Sequence, residues 1–152
     1  MNEYIKTMRA KIGHDTLIYV GASVFIYKDG RVLLQKRKDD NTWAQHGGGM
    51  EIGETFEETA KRELLEETGL IADKFEFLGI FTGKEMLHTY PNGDKVCNVC
   101  AAYVCRDFFG ELLNETNETT ELKWFNVNDL PMNIAPTNKK PFEAFLEWCK
   151  RT

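Results

Sequence analysis

Two apolar runs, LIYVGASVFIY from Leu17 to Tyr27 and RVLLQKR from Arg31 to Arg37, are joined by Lys28-Asp29-Gly30. Asp and Gly enter the positive φ region more readily than other residues, so the link predicts a tight turn and the pair a β-hairpin. KFEFLGIFTG and KVCNVCAAYVC read as two more strands with Pro91-Asn92-Gly93-Asp94 as the turn signal between or near them, and LKWFNV reads as another. Helical spacing appears at three places among these strands. Tyr4, Ile5, Met8 and Ile12 precede Gly13, predicting a short N-terminal helix over 3–12 that packs on the domain or contacts a second copy in a homodimer. A closing helix from about Asn138 has Pro141 in its first turn and Phe142, Phe145, Leu146 and Cys149 on one stripe. Strands and helices in this alternation predict a mixed α/β (α+β) domain, its mixed sheet flanked by helices on both faces.

The chain has 152 residues and is 42% hydrophobic, which suits one domain over 1–152 with one substantial core. Its net charge of −5 is spread without a basic block, so no nucleic-acid-binding stripe is expected. The longest apolar run has eleven residues, too short for a bilayer, and the first dozen are too polar for a signal peptide. No membrane partner and a cytoplasmic location are therefore expected. Cys97 and Cys100 have CxxC spacing, but on a strand residues three apart face opposite sides, so buried reduced thiols are expected rather than a metal site.

The third helix lies within GGGMEIGETFEETAKRELLEETGL, residues 47–70, which holds seven glutamates. Thr55 with Glu58 forms a capping box and Gly69-Leu70 a helix stop, bounding the helix at about 56–68. Spacing of four accounts for several charges, pairing Glu57 with Lys61, Glu58 with Arg62 and Arg62 with Glu66. Glu63 and Glu67 also lie four apart, with Glu66 one turn from Glu63. At about 100° per residue these three carboxylates fall in an arc of about 100° that contains no lysine. A solvated face tolerates this repulsion. Beside the flexible backbone of Gly47, Gly48, Gly49 and Gly53, however, clustered carboxylates also suit Mg²⁺, a hard cation that bridges proteins to phosphates.

The same stretch resembles the Nudix box, G-x5-E-x7-R-E-U-x-E-E-x-G-U, where U is a bulky aliphatic residue. Gly48, Glu54, Arg62-Glu63-Leu64, Glu66-Glu67 and Gly69-Leu70 fill every fixed position, nine residues across twenty-three. The resemblance to Nudix (MutT-like) hydrolases implies an α/β/α sandwich that hydrolyses a phosphoanhydride in a nucleoside diphosphate linked to another group. It implies a Mg²⁺ cofactor, with Mn²⁺ as a substitute, held by Glu63, Glu66, Glu67 and the Gly47 carbonyl, Glu66 and Glu67 thereby serving catalysis. Glu54 fixes the loop, Arg62 orients the carboxylates, and Gly48 and Gly69 are fixed positions of the motif.

In the family the base that accepts the water's proton often precedes a late strand containing a Trp. That implies Glu118 in NETNETTE, six residues before Trp124, with Glu121 and Glu115 as alternatives. Arg37, ending the second strand, is a candidate phosphate contact. His46 stands where many members have proline, and is either a substrate contact or a neutral hydrogen-bonded side chain. The segment typical of the NADH-cleaving branch is absent. Tyr90 and Pro91 fall twenty and twenty-one residues past Leu70, off the fifteen to eighteen of other branches. ADP-ribose, nucleoside sugars, dinucleoside polyphosphates and (d)NTPs thus all remain open as the small-molecule substrate. Tyr90, Phe81 or Trp43 could stack on a base. A non-catalytic nucleotide sensor and an isoprenoid diphosphate isomerase on the same fold are the rival readings.

Overall fold

The computed structural model describes residues 3–113 and 119–152. The elements run α1 (Glu3–Ile12), β1 (Leu17–Lys28), β2 (Arg31–Arg37), β3 (Trp43–Ala44), β4 (His46–Gly49), α2 (Phe56–Thr68), β5 (Leu70–Phe81), β6 (Leu87–Thr89), β7 (Lys95–Gly110), β8 (Thr119–Asn126) and α3 (Lys139–Arg151). Short 3₁₀ turns occupy Lys84–Met86 and Pro136–Asn138. All the strands join one mixed sheet with β3-β2-β1-β7-β5 as its spine. The β1–β7 pairing is parallel and the other strand pairings are antiparallel. Among the described residues no helix is long and apolar enough to cross a membrane.

The hairpin forms as expected but stays closed only near its turn, where Ile26, Tyr27 and Lys28 face Leu33, Val32 and Arg31. Further along, β4 takes over the edge of β1, with Gly21, Ala22, Ser23 and Val24 opposite Gly49, Gly48, Gly47 and His46. The glycine-rich stretch is thus a strand, not only a loop. Glycine is required on both sides of this contact, since a Cβ on Gly21 would collide with the Gly48 carbonyl and one on Gly47 with the Ala22 carbonyl.

Alternation along β1 divides the core into two layers. Ala22, Val24 and Ile26 point to the α2 face, where they pack with Ala60 and Leu64. Phe25 points to the other face and packs with Phe142 and Phe145 of α3. The sheet is therefore covered on both sides, the α/β/α arrangement expected. Strands β5 and β7 extend beyond their apolar runs: β5 starts at Leu70, directly after the helix stop, and β7 continues to Gly110.

Candidate active site

Helix α2 has the bounds its sequence predicts. Thr55 Oγ1 accepts from the Glu58 N–H at 3.1 Å while the Glu58 carboxylate accepts from the Thr55 N–H at 3.0 Å. At the other end Gly69 takes the left-handed conformation, φ 82°, and its N–H closes on Leu65. Because Glu58 turns back into the cap, it does not form the expected pair with Arg62. Arg62 instead donates from Nε to Glu54 Oε2 at 2.8 Å, from Nη1 to Glu63 Oε1 at 2.9 Å and from Nη2 to the Gly49 carbonyl at 2.9 Å. The expected pair with Glu66 is present but long, 3.5 Å.

One guanidinium thus ties the helix to β4 and to the loop residue Glu54. Glu54 also accepts from the Glu51 N–H and the Thr59 hydroxyl. Its hydrogen bond from Arg62 holds its carboxyl well below the usual range, at about 2, against the opposing effect of burial.

Glu63 and Glu67, expected on one face that contains no lysine, both have partners, Glu63 in Arg62 of the same helix and Glu67 on the sheet. Glu67 is 4% exposed. Its Oε1 accepts from Gln35 Nε2 at 2.8 Å and its Oε2 from the Gly47 N–H at 3.1 Å. The Glu63 carboxylate lies flat against Gly48: a Cβ there would sit 2.5 Å from its Cδ. Gly48 is therefore a cradle for a carboxylate. Gln35 is a site residue that the sequence reading missed, although an amide at the buried end of VLLQ was a visible anomaly.

Glu63, Glu67 and the Gly47–Gly49 backbone line one end of a cleft of about 660 Å³. Glu66 lies outside that lining, with its side chain 58% exposed beside Arg62. Among the described residues no three acidic, histidine or cysteine side chains stand close enough together to hold one ion. The donor set still fits a divalent cation. Two carboxylates converge on a glycine backbone that admits close approach, and Glu66 is exposed enough to turn inward.

Arg37 lines the cleft and is held by Asp39 in a two-point pair at 3.1 and 3.0 Å. Tyr90 also lines it. Trp43 is instead in the α3-side core against Phe125, and Phe81 ends β5 away from the cleft lining. His46 does not line the cleft either. It is fully buried, its Nε2–H donates to the Leu33 carbonyl at 3.0 Å, and burial lowers its pKa to about 4. A ring in that position is the neutral hydrogen-bonded histidine, so the substrate-contact expectation is corrected. Of the base candidates, Glu118 and Glu115 lie outside the described residues. Glu121 pairs with Lys36 across β8 and β2 and is exposed, away from the cleft lining.

Known proteins share this sequence pattern and fold. The sequence profile of the NUDIX domain matches residues 18–146. An ADP-ribose pyrophosphatase from Methanocaldococcus jannaschii is 32% identical over 132 residues, covering 85% of this chain and 73% of its own. An RNA pyrophosphohydrolase from Wolbachia is 31% identical over 140 residues, covering 84% of this chain and 86% of its own. Among solved structures, a MutT NUDIX hydrolase from Burkholderia pseudomallei superposes with a TM-score of 0.71 at 28% identity, covering 84% of this chain and 98% of that one. With the profile spanning both core layers and the motif glutamates set against β4, the chain belongs to the Nudix hydrolase family.

Proposed function

We propose that this hydrolase is a divalent-cation-dependent pyrophosphohydrolase, using Mg²⁺ or Mn²⁺, that cleaves a phosphoanhydride bond in a nucleoside diphosphate derivative. The observation that carries the reading is the convergence of Glu63 and Glu67 on the Gly47–Gly49 strand at one end of the cleft. Glu54, Glu63 and Glu66 share a single guanidinium, that of Arg62, and Glu67 adds a fourth carboxylate that accepts from neutral donors, Gln35 and the Gly47 N–H, so this end carries an excess of negative charge. Phosphate alone would be repelled there. A bound cation would reverse the sign of the field, neutralise phosphate oxygens and acidify water.

The protein's own part is positioning. Arg62 fixes the Glu63 and Glu54 carboxylates, while Gln35 and the Gly47 N–H fix Glu67, so their oxygens are oriented before substrate arrives. Arg37 stands at the same cleft with its guanidinium oriented by Asp39, suited to a phosphate oxygen further along the substrate. Glu118, outside the described residues, remains the proposed base.

The relatives include an ADP-ribose pyrophosphatase and an RNA pyrophosphohydrolase, so the test spans several classes of nucleotide substrate. Chromatography of products from ADP-ribose, nucleoside sugars, dinucleoside polyphosphates and (d)NTPs, each with Mg²⁺ or with EDTA, decides the matter. Metal-dependent release of a nucleotide from one class is expected. Binding of nucleotides without turnover would replace the reading with that of a sensor.

A further inference from the structure

Helix α1 lies before the stretch that matches the NUDIX profile, which starts at residue 18. Even so, its Ile5 and Arg9 line the cleft that the box glutamates close at the other end. We infer that α1 is a specificity element, an apolar wall for the nucleobase of the substrate, and that Asp94 is the residue that positions it. This rests on the nucleotide reading of the cleft.

The length of the cleft follows from strand register. Ala22 faces both Gly48, the Glu63 cradle, and Ala101 of β7. Arg9 meets the chain at Lys95, six residues earlier on β7, which at about 3.3 Å per residue is about 20 Å along the strand. The two ends of the cleft therefore differ in position and also in chemistry. At the α1 end the walls are Ile5, Met86 and Val96, all nearly buried, with the amide of Asn98 beside them. Asn98 itself is oriented, since its Nδ2 donates to the Met86 carbonyl at 3.0 Å.

The charged groups nearby are already engaged. Arg9 donates from Nη1 to the carbonyls of Gly13 and Asp15, at 3.1 and 2.7 Å, and from Nη2 to the carbonyl of Lys95 at 2.6 Å. Its Nε stands 3.6 Å from Asp94 Oδ2. An apolar surface with an oriented amide and its cations engaged suits an uncharged planar heterocycle better than a second phosphate.

Asp94 connects the pieces. Its Oδ1 accepts from His14 Nδ1–H at 2.7 Å and its Oδ2 from Asn92 Nδ2 at 3.2 Å, so the residues after α1 are fastened to the turn before β7. The same turn carries Tyr90, whose N–H donates to the Asp94 carbonyl at 2.8 Å and whose ring meets His88 edge-on at 4.6 Å. Removing the Asp94 carboxylate would therefore release His14, Asn92 and Arg9 together, and with them the seat of α1 and Ile5 on the turn that carries Tyr90.

The test uses the full chain. Hydrogen exchange is followed with and without AMP, GMP, CMP and UMP, alongside hydrolysis of the corresponding nucleoside diphosphate sugars with Mg²⁺. Protection of α1 amides by at least one monophosphate is expected. Asp94→Ala and Arg9→Ala should each raise KM by about tenfold with kcat changed much less, and the double variant should be no worse than either single one. Asp94→Asn, which keeps an acceptor oxygen, should recover most of the loss. Ile5→Phe should change the ratio of kcat/KM between purine and pyrimidine substrates by about tenfold. Hydrolysis with protection confined to α2 and β4, or Asp94→Ala acting on kcat alone, overturns the inference while leaving the pyrophosphohydrolase reading intact. Neither hydrolysis nor protection anywhere overturns both.

Discussion

The two helices that cover the sheet are each thirteen residues long, yet they are fixed to it by different means. Helix α3 is held by aromatic contacts: Phe145 stacks on Phe25 with centroids 4.5 Å apart, Phe142 meets the same ring edge-on at 5.1 Å, and Trp148 covers Tyr27. Helix α2 buries only small and aliphatic groups fully, Ala60 and Leu64, with one half-buried ring, Phe56, at its first turn, and is otherwise fixed by polar contacts through its cap, Arg62 and Glu67. Aromatic packing tolerates small shifts. Hydrogen bonds from a guanidinium and a backbone N–H do not, and a helix that must present carboxylates to within a few tenths of an ångström gains from that strictness.

Removing a polar contact of α2 should therefore cost function before stability, and the reverse should hold for α3. The largest effect is expected at Glu67. Glu67→Gln should lower kcat on the order of 10³-fold or more, about 4 kcal/mol of transition-state stabilisation, by removing a carboxylate from the cation end. Relief of repulsion with Glu63 alone would make this variant more stable. In the structure, however, a glutamine NH₂ would have to share the space of either the Gly47 N–H or the Gln35 amide donor, so a loss of about 1 kcal/mol is expected. Steady-state kinetics and urea denaturation read the two effects separately, and near-normal turnover would remove Glu67 from the machinery.

On the other face, Phe145→Ala should cost about 3–4 kcal/mol of stability by opening a cavity between Phe25 and Trp148. The kcat of whatever fraction stays folded should change little. A loss of kcat without a loss of stability would mean that α3 is coupled to the site more closely than its contacts show.

What the sequence revealed of these two helices depended on the range of the contacts. The bounds of α2, its capping box and the shared face of Glu63 and Glu67 are set by residues three or four apart, and all were readable from helical geometry. The apolar stripe of α3 was readable for the same reason. Gln35 meets Glu67 from thirty-two residues away and Arg9 meets Lys95 from eighty-six away, and no local pattern announces such pairs. Local reasoning also went wrong where two partners competed for one side chain. Glu58 had both the Thr55 N–H and Arg62 within reach, and the cap took it. The triple glycine carried a signal for close backbone approach, but whether it formed a loop or a strand depended on β1, more than twenty residues earlier.

The same contrast sets the response to acid. Glu54 has its carboxyl held at about 2 by Arg62, below the ordinary carboxylate value of 4.5. A depressed carboxyl contributes stability that is fully present above the unfolded value and is lost as pH falls from about 4.5 towards 2. With solvent screening allowed for, the contribution is about 1–2 kcal/mol. Glu54→Gln should flatten that part of the pH–stability curve, whereas Phe145→Ala should lower the whole curve without changing its slope there. An unchanged slope in Glu54→Gln would place the acid sensitivity elsewhere.

The smallest effect tests the cap on its own. Thr55→Ala removes the hydroxyl that accepts from the Glu58 N–H and should cost about 1 kcal/mol. It leaves the carboxylates of Glu54, Glu63 and Glu67 untouched. If the cap only starts the helix, kcat should stay within about twofold of wild type while the denaturation midpoint falls. If α2 needs both ends fixed to keep Arg62 in register with the Gly49 carbonyl, kcat should fall together with stability, because a frayed first turn lets the Glu58 carboxylate leave the backbone N–H at position 55, which alanine retains, and compete for Arg62 from one turn away. The double variant Thr55→Ala, Glu58→Gln separates these outcomes, since an uncharged side chain at 58 cannot draw Arg62 from Glu54 and Glu63. Recovery of kcat without recovery of stability would show that the cap also keeps Glu58 away from the site.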